Sequence, residues 1–316
     1  MTIYDNDLIH AVIDTPYRRG NRHLSVVTGY ASAPFILELL QNYKDLRLEV
    51  IVGMAKHDPI NIWTHKEFKR MVEKYDRLSI KYFIGERPIH SKIYYWHPTL
   101  DMQQLIFVGS ANLTRNGFIN FQEVLAEVIM DDPIRRLQEN ELVECIKENV
   151  EQYITFSYAN DREEIDAILL KTMAKKKYFV DLSLTELRSK DRKVHKKSGL
   201  NWGQREGRDK NQAYIPVPLK VHKEKPDFFP KRGETFTLLT DDAESFVCVM
   251  AQDNAKAIES SYDNSLIGHY FRKRLGLEPG EAVKIEHLDD YGRDTVRIYK
   301  INTETYYMDF AVPNTE

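Results

Sequence analysis

His90 and Lys92 stand two residues apart in the run HSKIYYW, which alternates as a strand does, so their side chains point to the same side. A second apolar run, LIFVGSAN, breaks at Gly109 into Ser110, Ala111 and Asn112. Ser110 and Asn112 share a face by the same rule, and Glu123 opens a third run, EVLAEVIM. An imidazole, an ammonium, an amide and a carboxylate could therefore converge on one small anion. Cleavage of a phosphodiester wants that set. A neutral histidine can attack phosphorus and split one hard displacement into two easier ones. Lysine and asparagine donate hydrogen bonds to the non-bridging oxygens, where charge must be held in the transition state. A carboxylate bonded to the far ring nitrogen would fix the histidine tautomer and favour the imidazolium. A second His-x-Lys, His195 and Lys197, lies in a charge run with no Gly-Ser-x-Asn after it, and reads as noise.

Such residues need a rigid sheet behind them, and the first half of the chain predicts one. HLSVVTGY (23–30), RLEVIVGM (47–54) and LSIKYFIG (78–85) read as buried strands. APFILELLQNY (33–43) and the stretch 61–76 between them carry helical periodicity. Continuous apolar strands separated by helices imply a sheet covered on both faces. Asp132 and Pro133 form a cap-and-N1 start for a long helix, IRRLQENELVECIKENVEQYI. This is one α/β domain, expected over 1–175, followed by a basic, polar linker over 176–200 in which VDLSLTEL could be a strand or a short helix.

The second half, 201–316, reads differently. AYIPVPL, ETFTLLTDD, SFVCVMAQ, AVKIEHLDD, DTVRIYKI and TYYMDF are short strand-like runs bounded by turn residues. One helical stretch, SLIGHYFRKRLGL, ends near a Gly with three cations in its last turn. The pattern predicts a small β-barrel.

Composition narrows the function. With 45 Lys and Arg against 48 Asp and Glu, the net charge of −3 gives no global case for nucleic-acid binding. The local case is better: residues 171–212 carry 13 cations against 5 anions, a candidate phosphate track. Within it, NWGQREGRDKNQAY offers Gln204, Arg205, Arg208, Asn211 and Gln212 in a Gly-broken loop. Arginine can fork onto guanine, glutamine or asparagine onto adenine. Arg272, Lys273 and Arg274 of the FRKR cluster form a second candidate contact surface. The two cysteines, Cys145 and Cys248, lack metal-ligand spacing, so buried thiols in a reducing cytoplasm and no zinc site are expected. No run has membrane-spanning length and no secretory signal is seen.

His-x-Lys, then Asn, then Glu resembles the phospholipase D superfamily, and within it the metal-independent restriction endonucleases of the NgoFVII and BfiI type. The resemblance implies that His90, Lys92, Asn112 and Glu123 supply the active site. The full phospholipase pattern would place an Asp where His97 stands, which argues against a lipase. GLNWGQREGR, NQAYIPVP, LLTDD and YFRKRLGL look like the C-terminal domain of NgoFVII-family enzymes, itself similar to the pseudobarrel of plant B-three transcription factors. On that analogy 201–214 and part of 253–274 are two arms gripping the major groove. The expectation is a type II restriction endonuclease acting on double-stranded DNA through a phosphohistidine, with no cofactor. It would dimerise through the first domain, because only one credible motif copy is present, and a cognate DNA methyltransferase encoded nearby is a candidate partner. Two alternatives share these residues: a repair or defence nuclease with little sequence preference, and a DNA-binding protein whose nuclease half is a scaffold.

Overall fold

Eight strands of the first half pair in one sheet, and their apolar runs explain why. They are β1 (Thr2–Tyr4), β2 (His23–Thr28), β3 (Arg47–Val52), β5 (Leu78–Phe83), β6 (Lys92–Trp96), β7 (Leu105–Gly109), β8 (Leu125–Val128) and β9 (Leu142–Glu144); β4 (Ile60–Asn61) lies apart, paired with β10 (Phe156–Ser157). The order across the sheet is β1-β8-β7-β6-β2-β3-β5-β9. β2, β3 and β5 run parallel, as strands joined by helices must, while β6 and β7 are antiparallel neighbours. This computed structural model describes residues 2–157, 179–186 and 192–312. It forms two compact units, 1–160 and 161–316.

The helices Ala33–Asn42 and Ile62–Lys74 cover one face of the sheet. Phe35 reaches Tyr94 of β6 through Phe118, and the buried His65 bonds the Tyr82 hydroxyl of β5 at 2.8 Å. Burial holds the His65 pKa down to about 4, so it is a neutral packing group. The other face is closed differently from expectation. The predicted long helix after Pro133 is absent; single turns at Ile134–Arg136, Glu139–Glu141 and Val150–Gln152 flank β9. Asp132 does cap, accepting from the amides of Ile134 and Arg135. The edge of β5 then captures 142–144 as a strand, outbidding a local helical pattern. Ile134, Leu137 and Leu142 from this irregular segment pack on Val27, Ile51 and Phe83.

In the second unit, seven strands form one sheet in the order β11-β16-β17-β13-β14-β15-β12. They are β11 (Phe179–Ser183), β12 (Ile215–Pro216), β13 (Thr235–Thr240), β14 (Ser245–Ala251), β15 (Ala257–Ser260), β16 (Thr295–Lys300) and β17 (Thr305–Asp309). The end strands β11 and β12 touch, so the sheet nearly closes into a barrel. Phe236, Leu238, Met250, Ile298, Tyr306 and Phe310 fill it. Two expectations are corrected here. Part of the expected linker, 179–183, is a barrel strand paired to β16. AVKIEHLDD is not a strand: Ile285–Tyr291 is a helix, begun where the Lys284 amide donates to His287 Nδ1 and ended at Gly292 in left-handed geometry. The basic stretch 171–178 and residues 187–191 lie outside the described residues.

Candidate active site and nucleic-acid interface

His90 sits just ahead of β6 and is exposed, whereas Lys92, the first residue of that strand, is 4% exposed. The Lys92 ammonium lies 3.1 Å from His90 Nδ1 and 3.3 Å from Nε2, and donates to the His90 carbonyl at 2.6 Å. Burial lowers the Lys92 pKa and the charge of Glu123 opposes that shift. Gly53 makes the placement of His90 possible. A Cβ there would fall 2.1 Å from the Ile89 carbonyl oxygen, so only glycine lets residue 89 bond back to the end of β3.

Asn112 follows β7 and is brought beside His90 by the loop after β2. Its Oδ1 accepts the Tyr30 backbone N–H at 3.1 Å and lies 3.1 Å from the Thr28 hydroxyl. With the oxygen so held, the amide NH₂ is the half of the side chain left to meet an anion. A Cβ on Gly29 would lie 3.3 Å from both Asn112 Oδ1 and His90 Cδ2, which places the two side chains on either flank of that glycine. Behind Asn112, Gly117 lets the turn Asn116–Asn120 press on the Asn112 backbone, where a Cβ would come within 2.3 Å.

The other two expected residues are held differently. Ser110 Oγ accepts the Val124 N–H at 3.0 Å, and the two backbones bond at 2.9 Å. It thus fixes the residue beside Glu123, from an exposed position. Glu123 makes no hydrogen bond to the His90 ring, contrary to expectation; its charge acts on Lys92 and on the buried Tyr94 hydroxyl. The spacing rule brought His90, Lys92 and Asn112 together. It missed Thr28, Gly29 and Tyr30, whose only sequence signal is their place at the end of a buried strand. His97 lies away from the centre, bonded to Ser25 at 2.8 Å and stacked on His23 at 3.8 Å. His195 pairs with Glu186 in the second unit.

The candidate DNA-contacting residues divide by what already holds them. Arg272 is 1% exposed, and its guanidinium donates to the carbonyls of Leu200, Lys210, Gly268 and Glu281. Arg274 is locked to Asp241, Asp242 and Tyr291. Both brace the barrel and are corrected as contacts: a helix end seen as exposed cations turns two of them inward. Gln204 braces its loop through the Lys210 and Gly280 carbonyls, and Asn211 Oδ1 accepts the Gly280 amide. Arg208, half-buried, lies 4.0 Å over the Trp202 ring and donates to Gln212 Oε1 at 2.8 Å. Arg205 is exposed with one bond, to the Lys197 carbonyl, and Lys273 is 77% exposed.

An α/β unit presenting His, Lys and Asn at its strand ends, joined to a small β-barrel, defines a two-part chain. Residues 6–154 match the family model of the NgoFVII restriction endonuclease N-terminal PLD domain, and residues 174–302 match that of the NgoFVII C-terminal B3-like DNA-binding domain. The chain belongs to the NgoFVII-type restriction endonuclease family. No curated protein matches it. Among solved structures, polyphosphate kinase from Porphyromonas gingivalis is 14% identical over 43% of this chain and 20% of that chain, with a TM-score of 0.29, too slight a likeness to support an inference. No helix among the described residues is long and apolar enough to cross a membrane.

Proposed function

We propose that the chain is a type II restriction endonuclease that hydrolyses double-stranded DNA at a specific short sequence, without metal, through a covalent phosphohistidine. The observation that carries this is the exposed His90 ring set against a buried ammonium and a fixed amide. A bound phosphodiester would draw the Lys92 ammonium from the ring onto a non-bridging oxygen, with the Asn112 amide on another. The freed nitrogen lone pair of His90 attacks phosphorus, an N–P bond forms, and the ester P–O bond breaks as the leaving oxygen takes a proton. Water then displaces the histidine, and the N–P bond breaks. The barrel would supply sequence choice, with Arg205, Arg208 and Lys273 among the cations open to DNA.

Both steps need a group to give and take the proton. His97 is committed to Ser25 and His23, which supports taking that group from His90 of a second copy across a two-fold axis. Plasmid digestion in EDTA tests the reading. Discrete fragments from the wild type, and none from His90→Ala that still binds the duplex, are expected. Activity lost in EDTA and restored by magnesium overturns the mechanism, a smear of fragments overturns the specificity, and a monomer that cleaves overturns the dimer.

A further inference from the structure

We infer that the Tyr30 side chain, latched by Asp58, is a positioning residue that holds the His90 imidazole in line for attack. The inference rests on the phosphohistidine reading above. Tyr30 follows the Gly29 position that His90 and Asn112 flank. Its ring meets the His90 ring edge to face, with centroids 6.3 Å apart and planes at 81°. It is 40% exposed, so the ring stands at the surface beside His90. The phenol does not turn to solvent: it donates to Asp58 Oδ2 at 2.6 Å, a short charge-assisted bond.

Two anchors therefore hold this residue, and they do different things. Its backbone N–H fixes the Asn112 amide, whatever side chain is present. Its side chain is pinned at the far end by Asp58, on the turn after Gly53 that also receives Ile89. A ring held at both ends is a fixed wall beside His90. An exposed imidazole has no other packing partner of this kind among the described residues, and its only ring bonds are to Lys92. When Lys92 leaves for the phosphate, the Tyr30 wall still limits how the ring turns. Misplacing a nucleophile by about 1 Å can cost on the order of 100-fold in rate.

Rapid-quench cleavage by the full chain, following both the phosphohistidine and the free product, tests this. Tyr30→Ala should slow formation of the covalent species about 10- to 100-fold. The duplex Kd and melting temperature should not change. Tyr30→Phe and Asp58→Asn should each give a smaller, similar loss, and their double variant no more than either, because both cut the same latch. Wild-type formation rates in Tyr30→Ala, or additive losses in the double variant, overturn the inference. So does a weakened Kd with an unchanged rate, which would make Tyr30 a DNA contact instead. Cleavage surviving in His90→Ala in the same assay overturns the phosphohistidine reading and this inference with it, whereas a dead His90→Ala beside a normal Tyr30→Ala sinks this inference alone.

Discussion

Lys92 Nζ stands 2.6 Å from the carbonyl oxygen of His90 and 3.1 Å from that residue's ring nitrogen Nδ1. The ammonium thus holds the backbone and the ring of the residue it serves, from a buried position. Losing it should damage attack more than binding. Lys92→Ala should lower kcat about 100-fold or more, the scale of losing one oxyanion donor, with duplex Kd unchanged. Lys92→Arg should not rescue it, since a planar guanidinium cannot take the same buried point. Near-normal turnover in either variant contradicts the role.

Glu123 opposes the burial that lowers the Lys92 pKa. If a charged Lys92 holds the phosphate, kcat falls as pH rises through that pKa. Glu123→Gln removes the opposing charge and lowers the pKa further, so the alkaline limb of the pH–kcat profile should move to lower pH. A limb that stays in place would separate Glu123 from Lys92.

His23 and His97 stack at 3.8 Å, and burial, reinforced by the neighbouring His97, pushes the His23 pKa down to about 4. An unfolded histidine titrates near 6.5. Between about pH 6.5 and 4 the unfolded chain takes up a proton that the fold refuses, so stability is full above this window and is lost as pH falls through it. His23→Phe keeps a stacking ring and should flatten the decline of the melting temperature over that range. An unchanged slope would show that other groups set it.

Arg272 and Arg205 should behave oppositely although both are arginines in the second half. Arg272→Met leaves buried carbonyls without donors and should destabilise the barrel by about 3 kcal/mol, read as a lower denaturation midpoint. Arg205→Ala should leave stability alone and weaken specific binding by about 1–3 kcal/mol. A folded, stable Arg272→Met that has lost DNA would restore it as a contact.

The strands of the sheet and the trio His90, Lys92 and Asn112 were legible because period-two alternation dictates which side chains share a face. Ile134 to Ile154 was misread because its pattern is locally helical. Val143 and Cys145 are buried alternately, as a strand demands, and that choice is made by the free edge of β5. Arg272 was misread for a related reason. Sequence shows a cation at a helix end, but not the carbonyls of Leu200 and Lys210 that fold back to meet it. Tyr30 carried no signal beyond its place at the end of a buried strand, since its partners Asp58, His90 and Asn112 are assembled only by the fold.

The short pair formed by β4 and Phe156–Ser157 bears on how far the first unit can be moved about as a module. Phe156 pairs with Ile60 and packs on His65, while Ile60 follows the turn carrying Asp58 by two residues. The family match stops at residue 154, before this clasp. A piece trimmed to that limit would keep all of His90, Lys92, Asn112 and Glu123 and yet release the turn that tethers Tyr30. Grafted onto a different DNA reader, the portable cutting head therefore has to carry its last strand with it, through Ser157.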